Sequence, residues 1–575
     1  MTRSRNQHWT WLSLVFLVVA ACAAPTTTPS STSSSSSASA PAAQRSGPKR
    51  VVAAIYGEPN SIISRMNTAQ VSVPGAGAVE QLANAGLGDV DADGKIRPQL
   101  AEAIPSTENG LWKLLPDGKM ETTWKIKENA KWHDGRPVTA EDFVFTTTVD
   151  QDPDLAILRN AGYQAVETVL APDPRTILVR WSKPYIDADT MFTSMSTVAF
   201  GLPLPKHLLE EGYQGDKTNF LAMPYWTRDY VGTGAFRVTE FVPGSYVALR
   251  ANENYIFGKP KIDEFEVKFI LDQNIIITNL LTGGIDMTLG RGFSIEQVFQ
   301  TRDLWPNGTA QVTPRSWIVI HPQFMNPTPT LVGDVRFRRA MMHATDRQQL
   351  MDTLEGGFTA VAHAYLSPAE PEYNEVHDAA VRYEYDQRKA AQMIEELGYS
   401  KGPDGFYRDG ASQRLNIEMR TYGIRVSDDA TVSIADAWTR FGVATDPTFV
   451  PPQRITDREY MATFPSFLMY RQPNSASDLG RLRGALAPTA ETRFVGSNYA
   501  RYVDAEFDGL IDKFLTTIPR PERMQVLRDA IRHISENLNL MGLFYDAEIG
   551  FLNNRLQNIT ARETRLWDIQ NWDTK

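Results

Sequence analysis

A chain of 575 residues with a formal net charge of −10 and a single cysteine exceeds the usual domain size of roughly 100–200 residues, so two or more lobes are predicted. The negative charge argues against nucleic acid, which needs concentrated Lys and Arg to replace phosphate counterions. One cysteine excludes an intramolecular disulfide and the multi-cysteine zinc and iron–sulfur sites, and neither H-E-x-x-H nor the phosphate-cradling G-x-x-x-x-G-K-[ST] loop occurs.

Arg3 and Arg5 precede an apolar run from Trp9 to Ala21. The run is shorter than the ~20 residues that cross a bilayer and has the form of a signal peptide. Val19-Ala20-Ala21-Cys22 then resembles the bacterial lipobox, whose cysteine receives diacylglycerol before residues 1–21 are cut away. Cys22 is the expected lipidation site, with an ordinary signal peptide cut near Ala21 or Ala24 as the alternative. Residues 22–47 are Thr, Ser, Pro and Ala with almost no charge or bulk. Such a segment cannot bury enough apolar surface to offset ordering and is expected to be a flexible tether. The expected location is extracytoplasmic, periplasmic or at the cell surface, on a lipid anchor.

In the folded part, Lys49–Ile62 predicts a first strand running into a loop. Thr122, Trp124 and Ile126 alternate as a half-buried strand does. His133-Asp134-Gly135-Arg136-Pro137 is a turn cluster, and Thr139 with Asp142 forms a capping-box pattern ahead of Phe143 and Val144. Tyr230–Tyr255 predicts two strands around Pro243-Gly244, and Phe265, Val267 and Phe269 alternate in another. Ala390, Ile394 and Leu397 share a helix face between a cap at Asp386 and a stop at Gly398. Leu527, Ile531, Ile534 and Leu538 form a second such stripe, with Pro521 near its start, and Leu540–Leu552 is strand-like. The mixture is α/β or α+β in at least two lobes.

Several blocks, in order, resemble one family: "GKIRPQLAEAI" (Gly94–Ile104), "WKIKENAKWHDGRPVTAEDFVF" (Trp124–Phe145), "VGTGAFRVTEFVPG" (Val231–Gly244), "NENYIFGKPKIDEFEVKFI" (Asn252–Ile270), "LLTGGIDM" (Leu280–Met287), "DVRFRRAMMHATDRQQL" (Asp334–Leu350), "YEYDQRKAAQMIEELGYSKGPDG" (Tyr383–Gly405) and "NYARYVDAEFDGLID" (Asn498–Asp512). The chain looks like a family 5 extracellular solute-binding protein, the peptide/nickel-binding type that serves ABC importers. The resemblance implies an α/β, two-lobed periplasmic-binding-protein-like fold of type II, a flytrap with an extra subdomain in lobe I. It places lobe I at residues 48–314 with a C-terminal return at 545–575, and lobe II at 315–544. The hinge is expected near Arg315–Ile320 and Leu543–Ala547.

The resemblance implies binding without bond chemistry: no catalytic residue, no cofactor and no metal, a monomer, and an ABC permease as partner. Closure follows because the solute gains contacts in the closed state that the open state lacks. In lobe I the family brings backbone near the ligand just after the first strand, here Tyr56, Glu58 and Asn60. In lobe II the family carries a Trp followed closely by an Asp that pairs with a peptide amine; here Tyr470-Arg471 stands in that place, and Asp478 lies further along. Arg471 suits a carboxylate, a phosphate or sugar hydroxyls. Tyr422, Arg425 and Asn498 complete the candidate contacts, and Gly232, Gly234 and the His133 turn are expected to be scaffold. A peptide is the leading solute, with an oligosaccharide or other organic solute as alternative. A secreted carboxylate-dependent hydrolase is the alternative of another class, needing two carboxylates about 5–10 Å apart. The G-x-S-x-G at Gly398–Gly402 follows a helix and precedes a turn, the inverse of a nucleophile elbow.

Overall fold

A computed structural model of the protein describes residues 47–66, 73–91, 93–194, 200–290, 292–421, 425–559 and 566–575. The signal peptide, Cys22, the tether up to residue 46 and Tyr422 lie outside the described residues.

The main sheet is built from ten strands. In chain order these are β1 (Arg50–Tyr56), β2 (Phe236–Val242), β3 (Tyr246–Ala251), β4 (Glu264–Ile270), β5 (Met287–Thr288), β6 (Gly308–Pro322), β7 (Asn416–Thr421), β8 (Ala444–Phe449), β9 (Phe467–Pro473) and β10 (Met541–Asn553). Their order across the sheet is β8-β7-β9-β6-β10-β5-β1-β4-β3-β2. β1 runs parallel between β4 and β5. A parallel strand in mid-sheet is covered on both faces, so it reads as a continuous apolar run; Val51, Ala53, Ala54 and Ile55 are fully buried. β4 keeps the alternation read from the sequence, with Phe265, Val267 and Phe269 buried. β2 and β3 pair antiparallel around Pro243-Gly244, where Gly244 has φ of 73°, a conformation costly for a residue with a Cβ.

β6 and β10 are the long strands. Gly308–Pro314 of β6 pairs with Ala547–Asn553 of β10, which also meets β5. Ser316–Pro322 pairs with β9 on one side, and Ser316–Ile320 with Met541–Asp546 of β10 on the other. Both strands therefore pass from one half of the sheet into the other. Their register shifts between Pro314 and Ser316, and such a bulge bends a strand.

The helices that matter below are α1 (Ala76–Ala83), α2 (Ala140–Gln151), α3 (Ile295–Leu304), α4 (Gln387–Glu396), α5 (Arg425–Phe441) and α6 (Arg520–Asn537). At the start of α2 the Thr139 N–H donates to Asp142 Oδ2 at 2.8 Å, as the capping-box pattern predicts. Asp386 caps α4 by accepting from the Arg388 and Lys389 N–H groups at 3.0 Å. α4 buries Ala390 and Ile394, and the chain turns at Gly398 with φ of 87°. α6 buries Leu527, Ile531 and Ile534 and ends at Leu538. Between α1 and β2 the chain inserts a separate four-stranded antiparallel sheet, Trp112–Leu114, Met120–Lys125, Thr176–Trp181 and Val166–Asp173 in that spatial order. This insertion, with α2 packed on it, is the extra subdomain, and the architecture is the two-lobed α/β fold expected.

The His133 turn holds that subdomain to the rest of its lobe. The Gly232 N–H donates to His133 Nδ1, and Nε2 donates to the Gly234 carbonyl, both at 3.1 Å. The ring is therefore neutral with its hydrogen on Nε2, and burial pushes its pKa down to about 4. A Cβ on Gly232 would collide with the Ala83 carbonyl oxygen, so only glycine fits the close approach to α1.

Candidate functional site

A cavity of about 1180 Å³ opens between the two halves of the molecule. One wall comes from the inserted subdomain and its surroundings: Val90, Asp91 and Gly94–Ile96, Arg159 and Asn160, and the Lys183–Thr190 segment. The facing wall comes from residues 369–372, from Pro473 and 475–483 after β9, and from the first turns of α6. The volume lies just above the roughly 300–1,000 Å³ of ordinary small-molecule pockets. Aromatic surface is present: Tyr185 lines the cavity and stacks on Trp181 at 5.5 Å between centroids.

Charged groups line both walls. Asp478 accepts from Ser475 Oγ at 2.6 Å and from Arg481 Nε at 2.8 Å. Glu372 lies 3.6 Å from Arg520. Across from them Asp187 and Asp189 flank Ala188. Both are half-buried; desolvation at the cavity wall pushes Asp187 up to about 6, against a hydrogen bond from Ser477 and the field of Arg523. Burial and then the neighbouring Asp187 push Asp189 up to about 7, again against Arg523. The Asp187–Ser477 contact joins the two walls. Away from the cavity lining, Phe299 of α3 packs on Phe358 at 5.8 Å, and Arg425, opening α5, reaches Glu296 of α3 at 2.5 Å.

Among the described sequence candidates, none lies on the cavity surface itself. Tyr56 ends β1 and is exposed, Glu58 is half-buried and Asn60 is exposed in the following loop. Arg425 is exposed and paired with Glu296. Tyr470 packs edge-on against Tyr499 at 5.2 Å. Arg471 donates through Nε to Asp546 on β10. Asn498 is buried, and its Nδ2 donates to the carbonyls of Leu482, Arg483 and Tyr502 at 3.1, 3.2 and 2.8 Å, so it braces the loop behind the second wall. Asp187, Asp189, Glu372 and Ser477 are cavity residues that sequence reasoning misses. Their signal is faint: two Asp at alternate positions after Lys183-Pro184, and a Ser-rich stretch beyond β9.

Among the described residues no group of three His, Cys, Asp or Glu side chains is placed to hold a metal ion, and no helix is long and apolar enough to cross a membrane.

Two lobes of α/β structure, joined by paired crossover strands and facing each other over a wide cavity, define a solute-binding protein. Residues 95–492 match the bacterial extracellular solute-binding proteins, family 5 (Middle), and the chain belongs to that family. It is 23% identical over 533 residues to the oligopeptide-binding protein AppA of Bacillus subtilis, covering 91% of each chain. In structure it resembles the oligopeptide-binding protein of Thermus thermophilus complexed with a pentapeptide, with a TM-score of 0.66 at 21% identity over 92% of this chain and 97% of that one. It also resembles NikZ of Campylobacter jejuni in complex with Ni(L-His), with a TM-score of 0.67 at 20% identity over 92% and 99%. The family is one of binding proteins of ABC transporters, which capture solute outside the cytoplasm and change no bonds.

Proposed function

We propose that this protein captures a peptide, or an organic solute of similar size, in the cavity between its lobes and hands it to the permease of an ABC importer. The carrying observation is the cavity of about 1180 Å³ with walls drawn from both halves of the chain. A single amino acid or a bare ion would leave most of that space to water. The oligopeptide-binding name of the Bacillus subtilis relative and the pentapeptide of the Thermus thermophilus structure support the peptide reading. The small nickel–histidine chelate held by NikZ keeps a non-peptide solute as the second reading.

The lobes in this reading are residues 48–314 with 545–575, and 315–544. The bulge between Pro314 and Ser316, where β6 changes partners, supports a hinge there. Closure brings Asp187 against Ser477 and Arg425 against Glu296, so a solute touching both walls favours the closed state by its differential contacts. The protein acts as a monomer outside the cytoplasmic membrane, held by lipid on Cys22.

Mass spectrometry of small molecules released by denaturing the purified protein tests the reading, paired with thermal shift on adding the identified solute back. An intact peptide-sized solute that raises Tm, as any ligand of the folded state does, is the expected result. Release of a solute that the protein then converts to product would replace binding with the hydrolase alternative.

A further inference from the structure

Away from the cavity, three buried side chains are each only partly satisfied. Arg65, Glu80 and Tyr230 are 1%, 2% and 4% exposed. Arg65 sits in the turn Ser64–Met66 that closes the loop after β1. Its Nε pairs with Asp150 of α2 at 3.1 Å, and its Nη2 donates to the Leu202 carbonyl at 2.8 Å. Nη1 has no hydrogen-bond partner among the described residues. Glu80 lies on α1. Its Oε2 accepts from the Ser64 N–H at 2.9 Å and from Ser64 Oγ, while Oε1 has no partner among the described residues. The Tyr230 hydroxyl is in the same state. Buried polar groups in folded proteins are almost always hydrogen-bonded, and each one left without a partner carries its full desolvation cost.

The chain brings these three atoms to one place. Ser64 and Arg65 are consecutive, so the residue that binds Glu80 also sets Arg65 beside α1. Tyr230 comes to α1 from another direction: two residues on, Gly232 lies against the Ala83 carbonyl and the Tyr230 ring so closely that no Cβ fits. Glu80 and Tyr230 both act on the charge of Arg65, and Glu80 and Arg65 both act on Tyr230. Yet the ion pair of Arg65 among the described residues is with Asp150, and Glu80 forms none there. Polar groups that face one another beyond direct bonding distance are where bridging waters sit.

We propose that this point is a binding site for one ordered water, which accepts from Arg65 Nη1 and the Tyr230 hydroxyl and donates to Glu80 Oε1. The partners decide the chemistry of the occupant. The guanidinium repels a metal cation, the carboxylate repels an anion, and the burial of all three side chains shuts out anything larger. Water both accepts and donates, and about three partners is the usual number for a buried one. It joins the loop after β1 and helix α1 to the chain that leaves the inserted subdomain for β2, and Arg65 adds α2 through Asp150. The site is therefore a polar joint between the main sheet and the subdomain that carries one wall of the cavity.

A high-resolution crystal structure of the protein, with thermal unfolding of a Tyr230→Phe variant, tests this. The expected density is one water within hydrogen-bond distance of Arg65 Nη1, Glu80 Oε1 and the Tyr230 hydroxyl. Tyr230→Phe is expected to lower Tm by about 1–2 °C, the loss of one buried hydrogen bond in a chain of this size. A crystal structure of the variant with the ring unmoved assigns that loss to the hydroxyl. A direct Arg65–Glu80 contact, or no density between the three groups, overturns the proposal. So does a variant whose Tm equals or exceeds that of the wild type, because a hydroxyl bonded to nothing costs nothing to remove. Each of these outcomes leaves the solute-capturing reading standing, since none of the three residues lines the cavity.

Discussion

Arg471 and Asp546 form an ion pair that reaches over a strand: the guanidinium leaves β9, passes across β6, and its Nε donates to Asp546 Oδ2 on β10. Ser316 Oγ on the intervening strand donates to the same oxygen at 3.4 Å. Glu355 stands beside the pair and accepts the Ala547 N–H at 3.3 Å. The cluster sits at the bulge where β6 changes partners, so it ties the crossover strands to lobe II. Arg471→Ala leaves the buried Asp546 carboxylate without its cation, beside the protonated Glu355, and a loss of about 3 kcal/mol is expected. Urea unfolding measures it; an unchanged midpoint would show that the pair contributes no stability.

Glu355 gives that cluster a pH dependence. Burial, and then the neighbouring Asp546, hold its carboxyl well above the ordinary carboxylate range. The folded state therefore keeps a proton that the unfolded chain has released. Its stability contribution is full at pH below the ordinary carboxylate value and declines as pH rises toward the raised one. Glu355→Gln mimics the protonated form, so the variant gains Tm over the wild type at pH 8 and not at pH 5. Equal differences at both pH values contradict the assignment.

His133 titrates with the opposite consequence. Its pKa is pushed from 6.5 down to about 4, so between those values the folded state binds fewer protons than the unfolded chain. The contribution is intact above pH 6.5 and lost as pH falls toward 4. An NMR titration of the imidazole is expected to show a midpoint near 4 rather than near 6.5. Gly232→Ala breaks the same clamp mechanically and costs several kcal/mol by forcing backbone apart; thermal unfolding reads it.

Much of the scaffold is legible in the sequence because its causes are local. The Asp386 cap, the Thr139–Asp142 box and the alternation of Phe265, Val267 and Phe269 each depend on a few neighbouring residues. The strand character of the Trp317–His321 and Leu543–Phe551 stretches is visible too, although their pairing along nearly their whole length is not. The cavity is harder to read. Its walls are irregular segments, Lys183–Thr190 and Ser475–Arg483, with no periodicity to mark which side chains face inward. In sequence Arg471 looks available for a ligand because its partner Asp546 is 75 residues away. Asn498 looks available too, but its buried amide is spent on three carbonyls of its own loop, as buried polar groups require.

Arg425 and Glu296 join the lobes on an exposed face, with side chains 65% and 61% accessible. Exposed pairs contribute roughly 0–1 kcal/mol and are screened by salt. Arg425→Ala is expected to leave the Tm nearly unchanged at an ionic strength of about 0.15 M. A drop beyond that of ordinary surface substitutions would give the contact more weight than its exposure permits.

Cys22→Ser tests the anchor. The variant is expected to appear in the soluble extracytoplasmic fraction or to accumulate with its signal peptide uncut. Normal processing together with unchanged membrane retention would remove the lipid-anchor reading.

One solute gripped by both lobes in the cavity they enclose is the central claim, and a crystal structure of the protein with its copurified solute tests it most directly. The expected result is an intact solute between the Lys183–Thr190 wall and the Ser475–Arg483 wall, with polar contacts to both. A solute bound to one lobe alone, or lying outside this cavity, would contradict it.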